Sequence, residues 1–219
     1  MWIKICGFTD LDNTLACAEA NPDAIGLNFY TGSERHVAPE VARQITSRLP
    51  EGIEAVGVFV NSSAAGVAEI VSVAGLSAIQ LHGDESPETV AEVHRRCPQQ
   101  KIIRAIRIGD DGIATVDRHV RSILNLGVPL HAVLLDALVA GSYGGTGHTI
   151  DPTLLTGYDA SLPPLVLAGG LNPDNVEAAV RAVRPAGVDT ASGVEIAPGI
   201  KDPQLVQQFV EAARNALSE

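Results

Sequence analysis

The chain lacks most features that would place it outside ordinary soluble globular proteins. No apolar run approaches the roughly 20 residues that a bilayer-spanning helix needs, so no membrane contact is expected. The amino terminus has no basic-then-apolar signal pattern, because Lys4 is followed at once by Cys6, Gly7 and Asp10. Together these absences point to a cytoplasmic location. Cysteine is scarce: the 3 thiols among 219 residues, Cys6, Cys17 and Cys97, are scattered and show no CxxC spacing. Such a set suggests neither a disulfide framework nor a zinc site, and reduced thiols are the plain reading. Positive charge is also short, with 15 Lys and Arg against 26 Asp and Glu and a net charge of −11. A nucleic-acid surface needs a basic patch, so no nucleic-acid partner is expected. An anionic ligand must instead be held by backbone dipoles and a few arginines against the overall field. No linker or shift in composition marks a second domain, so residues 1–219 read as one domain.

What is present is a regular alternation. Short apolar runs at Trp2–Cys6, Ala24–Phe29, Ala55–Val60, Ala78–His82, Ile102–Ile108, Ala132–Asp136, Leu165–Ala168 and Val188–Ala191 read as strands. Between them, Val41–Leu49, Ala65–Ala74, Val90–Cys97, Ile113–Leu126, Val176–Val183 and Leu205–Leu217 carry apolar residues at helical spacing. Strands alternating with helices imply βαβ units and a parallel sheet. Eight units favour a closed (β/α)₈ TIM barrel over a doubly wound sheet, although about 250 residues is more usual for that fold. Pro39, Ser86-Pro87, Asn172-Pro173 and Asp202-Pro203 read as helix openings. The glycine-rich stretch 138–150 after the sixth strand is long for so tight a fold and reads as a lid. Its Gly144-Gly145-Thr146-Gly147 has no P-loop lysine and follows no strand directly.

In such barrels the active site gathers at the carboxyl ends of the strands. Here those ends carry Cys6, Asn28, Asn61, His82, Arg107, Asp136, Gly169-Gly170 and Ser192-Gly193. The glycine pairs after strands seven and eight allow backbone N–H groups to approach an anion, and a short helix starting near Gly193 would aim its positive end at it. Ordinary strand-to-helix turns are the plain alternative. On strand one, side-chain alternation puts Lys4 and Cys6 on one face and Ile3 and Ile5 on the other. A carboxylate ending an apolar strand, as at Asp136, is pressed towards its protonated form, which suits a general acid; capping the next loop is the alternative. Cys17 and Cys97, on helical segments, read as inert core thiols, and His36, His94, His119 and His131 as surface residues.

Taken together and in order, Lys4-Ile5-Cys6-Gly7, Gly26-Leu27-Asn28-Phe29-Tyr30 with Ser33 and Arg35, Val56–Val60, Gln80-Leu81-His82-Gly83, Leu135-Asp136, Gly144–Gly147, Gly169-Gly170-Leu171 and Ser192-Gly193-Val194-Glu195 resemble the phosphoribosylanthranilate isomerases of tryptophan biosynthesis. The resemblance runs over nearly the whole chain. It implies an Amadori rearrangement of a phosphosugar, without metal or organic cofactor, with Asp136 as general acid and Cys6 as general base. It further implies that Arg35 clamps the anthranilate carboxylate, that His82 lines the mouth, and that Asp189 orients substrate or balances Lys4. Gly169, Gly170, Ser192 and Gly193 would hold the phosphate, and monomer and homodimer both stay open. The chain departs from the family pattern at Glu34, where proline is usual, at Ile150 and Pro152, where two aromatics are usual, and at Ala191, where a serine is usual. Two rivals remain. The histidine-pathway isomerase would use a carboxylate in place of Cys6 and two phosphate sites, and a non-catalytic phosphosugar-binding barrel would need no Cys6–Asp136 pair.

Overall fold

β-Branched and aliphatic runs short enough to be strands, buried on both faces, are what a parallel sheet covered by helices demands. The computed structural model describes residues 1–108, 112–137, 155 and 157–216. Eight parallel strands close into a barrel in sequence order: β1 (Trp2–Cys6), β2 (Ala24–Asn28), β3 (Glu54–Phe59), β4 (Ala78–Leu81), β5 (Lys101–Ile108), β6 (Leu130–Ala137), β7 (Leu165–Leu167) and β8 (Gly187–Thr190). Closure comes from β1 pairing with β8, with Lys4 opposite Asp189 and Ile5 opposite Thr190. Around the barrel lie α1 (Leu11–Ala18), α2 (Pro39–Thr46), α3 (Ala64–Ala74), α4 (Pro87–Arg96), α5 (Gly112–Asn125), α6 (Val176–Val183) and α7 (Pro203–Asn215). A two-stranded hairpin, β9 (Glu195–Ala197) with β10 (Ile200–Lys201), follows β8. The stretch 138–150, read as a lid, lies outside the described residues.

Alternation along the strands divides the apolar residues into two sets. Ala24, Val56, Ala78, Ile103, Ala105, Ala132, Leu134, Val166 and Ala168 fill the barrel interior. Ile3, Ile5, Ile25, Leu27, Phe59, Ile79, Leu81, Val133 and Leu135 form the larger layer with the helices. The expected openings hold at α2, α4 and α7, each with proline in its first turn. The Ser86 and Asp202 side chains accept hydrogen bonds from Thr89 N and Gln204 N, satisfying N–H groups that a helix start leaves unpaired. Asn172-Pro173 behaves differently. Asn172 Oδ1 accepts from the N–H groups of Asp174 and Asn175, so it builds a turn, and α6 begins three residues past Pro173 at Val176.

Two histidines read as surface residues are half-enclosed: His94 on α4 has its Nδ1 buried without a hydrogen-bond partner among the described residues. His119 on α5 is half-buried and accepts a hydrogen bond from Arg104 Nε at 3.0 Å, so it is no surface residue. Arg104 points outward from β5 into the helical layer, because its neighbours Ile103 and Ala105 face inward. Its guanidinium is enclosed by Leu81 O, Gly83 O, Ala105 O and the buried Glu85 carboxylate. Burial, then the Arg104 charge, lowers the His119 pKa, which suits its role as a neutral acceptor.

Candidate active site

The barrel mouth holds a cavity of about 640 Å³, counting space open to solvent. Cys6, Asn28, Arg35, Gln80, His82, Asp136, Gly169, Gly170, Asp189 and Ser192 all line it. Cys6 and Asp136, from strands one and six, therefore open onto one space with no packed core between them. Strand register does this: Cys6 lies two residues beyond inward-facing Lys4, and Asp136 two beyond inward-facing Leu134. Gly26 makes room for the thiol, since a Cβ there would lie 2.6 Å from Cys6 Sγ.

Beneath Cys6, Lys4 is wholly buried (0% exposed) and its ammonium lies 2.8 Å from Asp189 Oδ1. Burial opposes the charge on Lys4, but Asp189 and Cys6 together outweigh it and the pKa is raised. Asp189 is raised as well, chiefly by burial, with Lys4 acting against the shift and Asp136 adding to it. Burial also pushes the Cys6 thiol up, while the nearby Lys4 and Lys201 charges pull it back. His82 Nε2 is buried without a hydrogen-bond partner, 3.5 Å from Asp136 Oδ2, so an unsatisfied polar atom faces the carboxyl group and the cavity.

Arg35 stands in the loop after β2. Asn28 organises that loop, accepting from Tyr30 N and donating through Nδ2 to Ser33 Oγ, which in turn accepts from Arg35 N. Gly7, at φ +89°, lets the Arg35 side chain cross close by; a Cβ there would sit 2.6 Å from Arg35 Cδ. Arg35 is not loose despite Glu34 beside it. Its Nε and Nη2 form a fork on Glu195 at 2.9 and 2.6 Å, and this hydrogen bonding raises its pKa. Nη1 has no partner among the described residues.

Gly169 and Gly170 both have positive φ, 90° and 61°, a conformation that other residues adopt rarely and that turns the backbone towards the mouth. The helix expected near Gly193 is a single 3₁₀ turn, Ser192–Val194. Gly193 itself does not line the cavity. A Cβ on it would strike the Leu171 carbonyl, so it lets the β7 and β8 loops close on each other. Asn61 and Arg107, also expected at the mouth, are not among the lining residues: Asn61 Oδ1 accepts from Asp84 N, and Arg107 bonds the Asp84 carboxylate. Sequence reasoning missed Gln80, which lines the cavity from an inward position on β4, and Lys201, buried behind Glu195. Period-two alternation back from His82 would have found Gln80; nothing in the spacing announces Lys201.

Comparison with known proteins settles the family. The family model for N-(5'phosphoribosyl)anthranilate (PRA) isomerase matches residues 3–212. The chain belongs to that family. The N-(5'-phosphoribosyl)anthranilate isomerase of Magnetococcus marinus is 47% identical over 215 residues, covering 98% of this chain and 95% of the relative. That of Thermotoga neapolitana is 42% identical, over 97% of this chain and 98% of the relative. Among solved structures, phosphoribosyl anthranilate isomerase from Thermotoga maritima superposes with a TM-score of 0.84 at 35% identity, covering 98% of this chain and 99% of that one. A phosphoribosyl anthranilate isomerase in complex with reduced 1-(o-carboxyphenylamino)-1-deoxyribulose 5-phosphate gives a TM-score of 0.83 at 34% identity, with the same coverage. The 3-hexulose-6-phosphate synthase of Salmonella typhimurium, at 13% identity and a TM-score of 0.73, shares the fold alone.

Proposed function

We propose that one barrel domain carries the family's isomerisation of N-(5'-phosphoribosyl)anthranilate in tryptophan biosynthesis through Asp136 and Cys6. The observation that carries this reading is that the thiol and the carboxyl group open onto one cavity bordered by Arg35 and the Gly169-Gly170 turn. The carboxylic acid of Asp136 protonates the ribose ring oxygen as the C1–O bond breaks, and the anthranilate nitrogen lone pair forms the Schiff base. Cys6, as thiolate, takes the proton from C2; the released electron pair forms the C1–C2 double bond and neutralises the iminium nitrogen. The resulting enolamine takes a proton at C1 and loses its hydroxyl proton to become the ketone, so atoms and charge balance and no co-reactant is consumed. Each positioned proton transfer contributes on the order of 10²–10⁴-fold.

Arg35 presents its open edge to the anthranilate carboxylate, a planar fork suited to a planar anion. His82 lines the mouth beside Asp136, and Asp189 balances Lys4 while bordering the substrate space. Gly169, Gly170 and Ser192 take the phosphate at the end of the barrel where this fold usually binds it, with Gly193 closing the loops behind. The substrate is a small phosphosugar handled in the cytoplasm, and the reaction requires no metal or organic cofactor. The test follows the loss of phosphoribosylanthranilate fluorescence, with the histidine-pathway substrate alongside. Cys6→Ser and Asp136→Asn should each lower turnover by about 10²-fold or more while the circular dichroism stays native. Full activity in either variant overturns the assigned roles.

A further inference from the structure

Behind Arg35, two enclosed side chains that do not line the cavity, Glu195 and Lys201, complete a cluster of three charges. The hairpin β9–β10 brings them together, with Lys201 Nζ 2.6 Å from Glu195 Oε1. Lys201 is fully buried, at 0% exposure. Its ammonium also donates to Ala191 O at 3.0 Å and lies 5.8 Å from the centre of the Phe8 ring. Enclosing an ammonium completely is costly even when it is paired, and an apolar residue of similar volume often fills such a position with no loss of stability.

The charges explain the arrangement. Arg35 and Glu195 alone would form a neutral pair, with the guanidinium's attraction for a second carboxylate largely spent on the first. Lys201 shares the same carboxylate from behind, on Oε1, so the cluster of Arg35, Glu195 and Lys201 carries a net charge of +1. Because the Lys201 ammonium is sealed inside the protein, that charge is available to a ligand only at the edge of Arg35 that opens on the cavity.

We propose that Glu195 and Lys201 are positioning residues of the isomerase, Glu195 fixing the plane of Arg35 and Lys201 restoring its positive charge, so that Nη1 meets the substrate carboxylate. This rests on the reading of Arg35 as the carboxylate clamp. Glu195 grips Nε and Nη2 and leaves Nη1 to the cavity, which sets both the direction and the reach of the clamp. The hairpin thereby acts on substrate selection without touching substrate.

The test compares inhibition by reduced 1-(o-carboxyphenylamino)-1-deoxyribulose 5-phosphate with inhibition by the same compound lacking the carboxylate. The ratio of the two inhibition constants isolates the carboxylate contact, whereas a merely structural defect would weaken both compounds alike. Glu195→Gln should reduce the wild-type ratio by about tenfold, because a charge-assisted bidentate bond loses its geometry and this outweighs the negative charge removed. Arg35→Ala should abolish it. A ratio that rises in Glu195→Gln overturns the positioning role. A ratio lost in Arg35→Ala but unchanged in Glu195→Gln overturns the positioning role and leaves the clamp standing. A ratio unchanged in Arg35→Ala overturns the clamp, and this proposal with it. Should Glu195→Gln fail to fold, the double variant Glu195→Gln/Lys201→Met removes one charge of each sign and carries the same expectation. Inorganic phosphate inhibition should stay constant throughout. A parallel loss of phosphate affinity would mean that the pair serves the phosphate loop through Ala191, which also overturns the proposal. In the unaltered protein, the Arg35 Nε–H resonance should be protected from solvent exchange; rapid exchange would contradict the fixed fork.

Discussion

Two arginines of this barrel each bind a buried glutamate, and they differ in what is left over. Arg104, in the wall between β5 and the helices, has acceptors on all three nitrogens: His119, the carbonyls of Leu81, Gly83 and Ala105, and Glu85. Arg35, at the mouth, is gripped along one edge by Glu195, and its Nη1 is bare among the described residues. The same ion pair thus serves two ends. A guanidinium satisfied on every side fixes the loop after β4 to the wall, while one satisfied on a single side remains a receptor for an anion. The presence of a salt bridge says little about its purpose; the unsatisfied donor does.

The sharpest way to break this comparison is Arg104→Ala. It removes the only cation paired, among the described residues, with the Glu85 carboxylate, whose side chain is 1% exposed and keeps only the N–H groups of Asn61 and Gly83. The change should cost about 3–5 kcal/mol of stability, as the removal of one partner from a buried pair does. Urea unfolding reads the loss directly, and a change below about 1 kcal/mol would show that the wall network is not structural. Next in size, Arg35→Ala should raise KM about tenfold or more, the scale of one lost charge-assisted contact. Its stability should change by no more than about 1 kcal/mol, since Glu195 keeps Lys201 as a partner. If unfolding instead moved as far as in Arg104→Ala while KM stayed constant, the contrast between the two arginines would be void.

The smallest effect is a pH slope. Burial raises the Glu195 pKa, but the Arg35 hydrogen bonds and the Lys201 charge more than reverse this, and the folded value lies below the ordinary 4.5. A depressed folded pKa contributes stability that is present in full above the unfolded value and is lost as pH falls through the folded one. Below about pH 4.5 the wild type should therefore lose stability more steeply with acid than Glu195→Gln does. Unfolding midpoints measured from pH 5 downward test this, and parallel curves would refute it.

Much of this was legible in the sequence, and the exceptions have physical causes. Each strand was placed to within two residues, because a strand buried on both faces must be apolar and its ends must break. The first helix, Leu11–Ala18, gave no clear pattern: its buried side comprises Thr14, Cys17 and Ala18, and a threonine hides the apolar period. Cys6 and Asp136 were readable as polar residues ending apolar strands. The contact between Arg35 and Glu195 was not, because the partners lie 160 residues apart and meet only after the barrel has closed. His119 failed for a similar reason, since its partner Arg104 faces the helical layer on another strand's outer side. Gly193 looked like a ligand contact, but the steric demand on it comes from Leu171 on a neighbouring loop. Local pattern reports which surface a residue occupies; it is silent on which distant group will arrive there.

The pairing of β1 with β8 has a consequence for the life of the chain. Ribosomes deliver Lys4 and Cys6 well before Asp189, the counterion of Lys4, which follows 185 positions later. Throughout translation the future base therefore exists without its wall, its neighbour's charge unanswered, and no earlier strand can stand in. Competence waits for the eighth strand, so a product terminated before it is inert rather than weakly active.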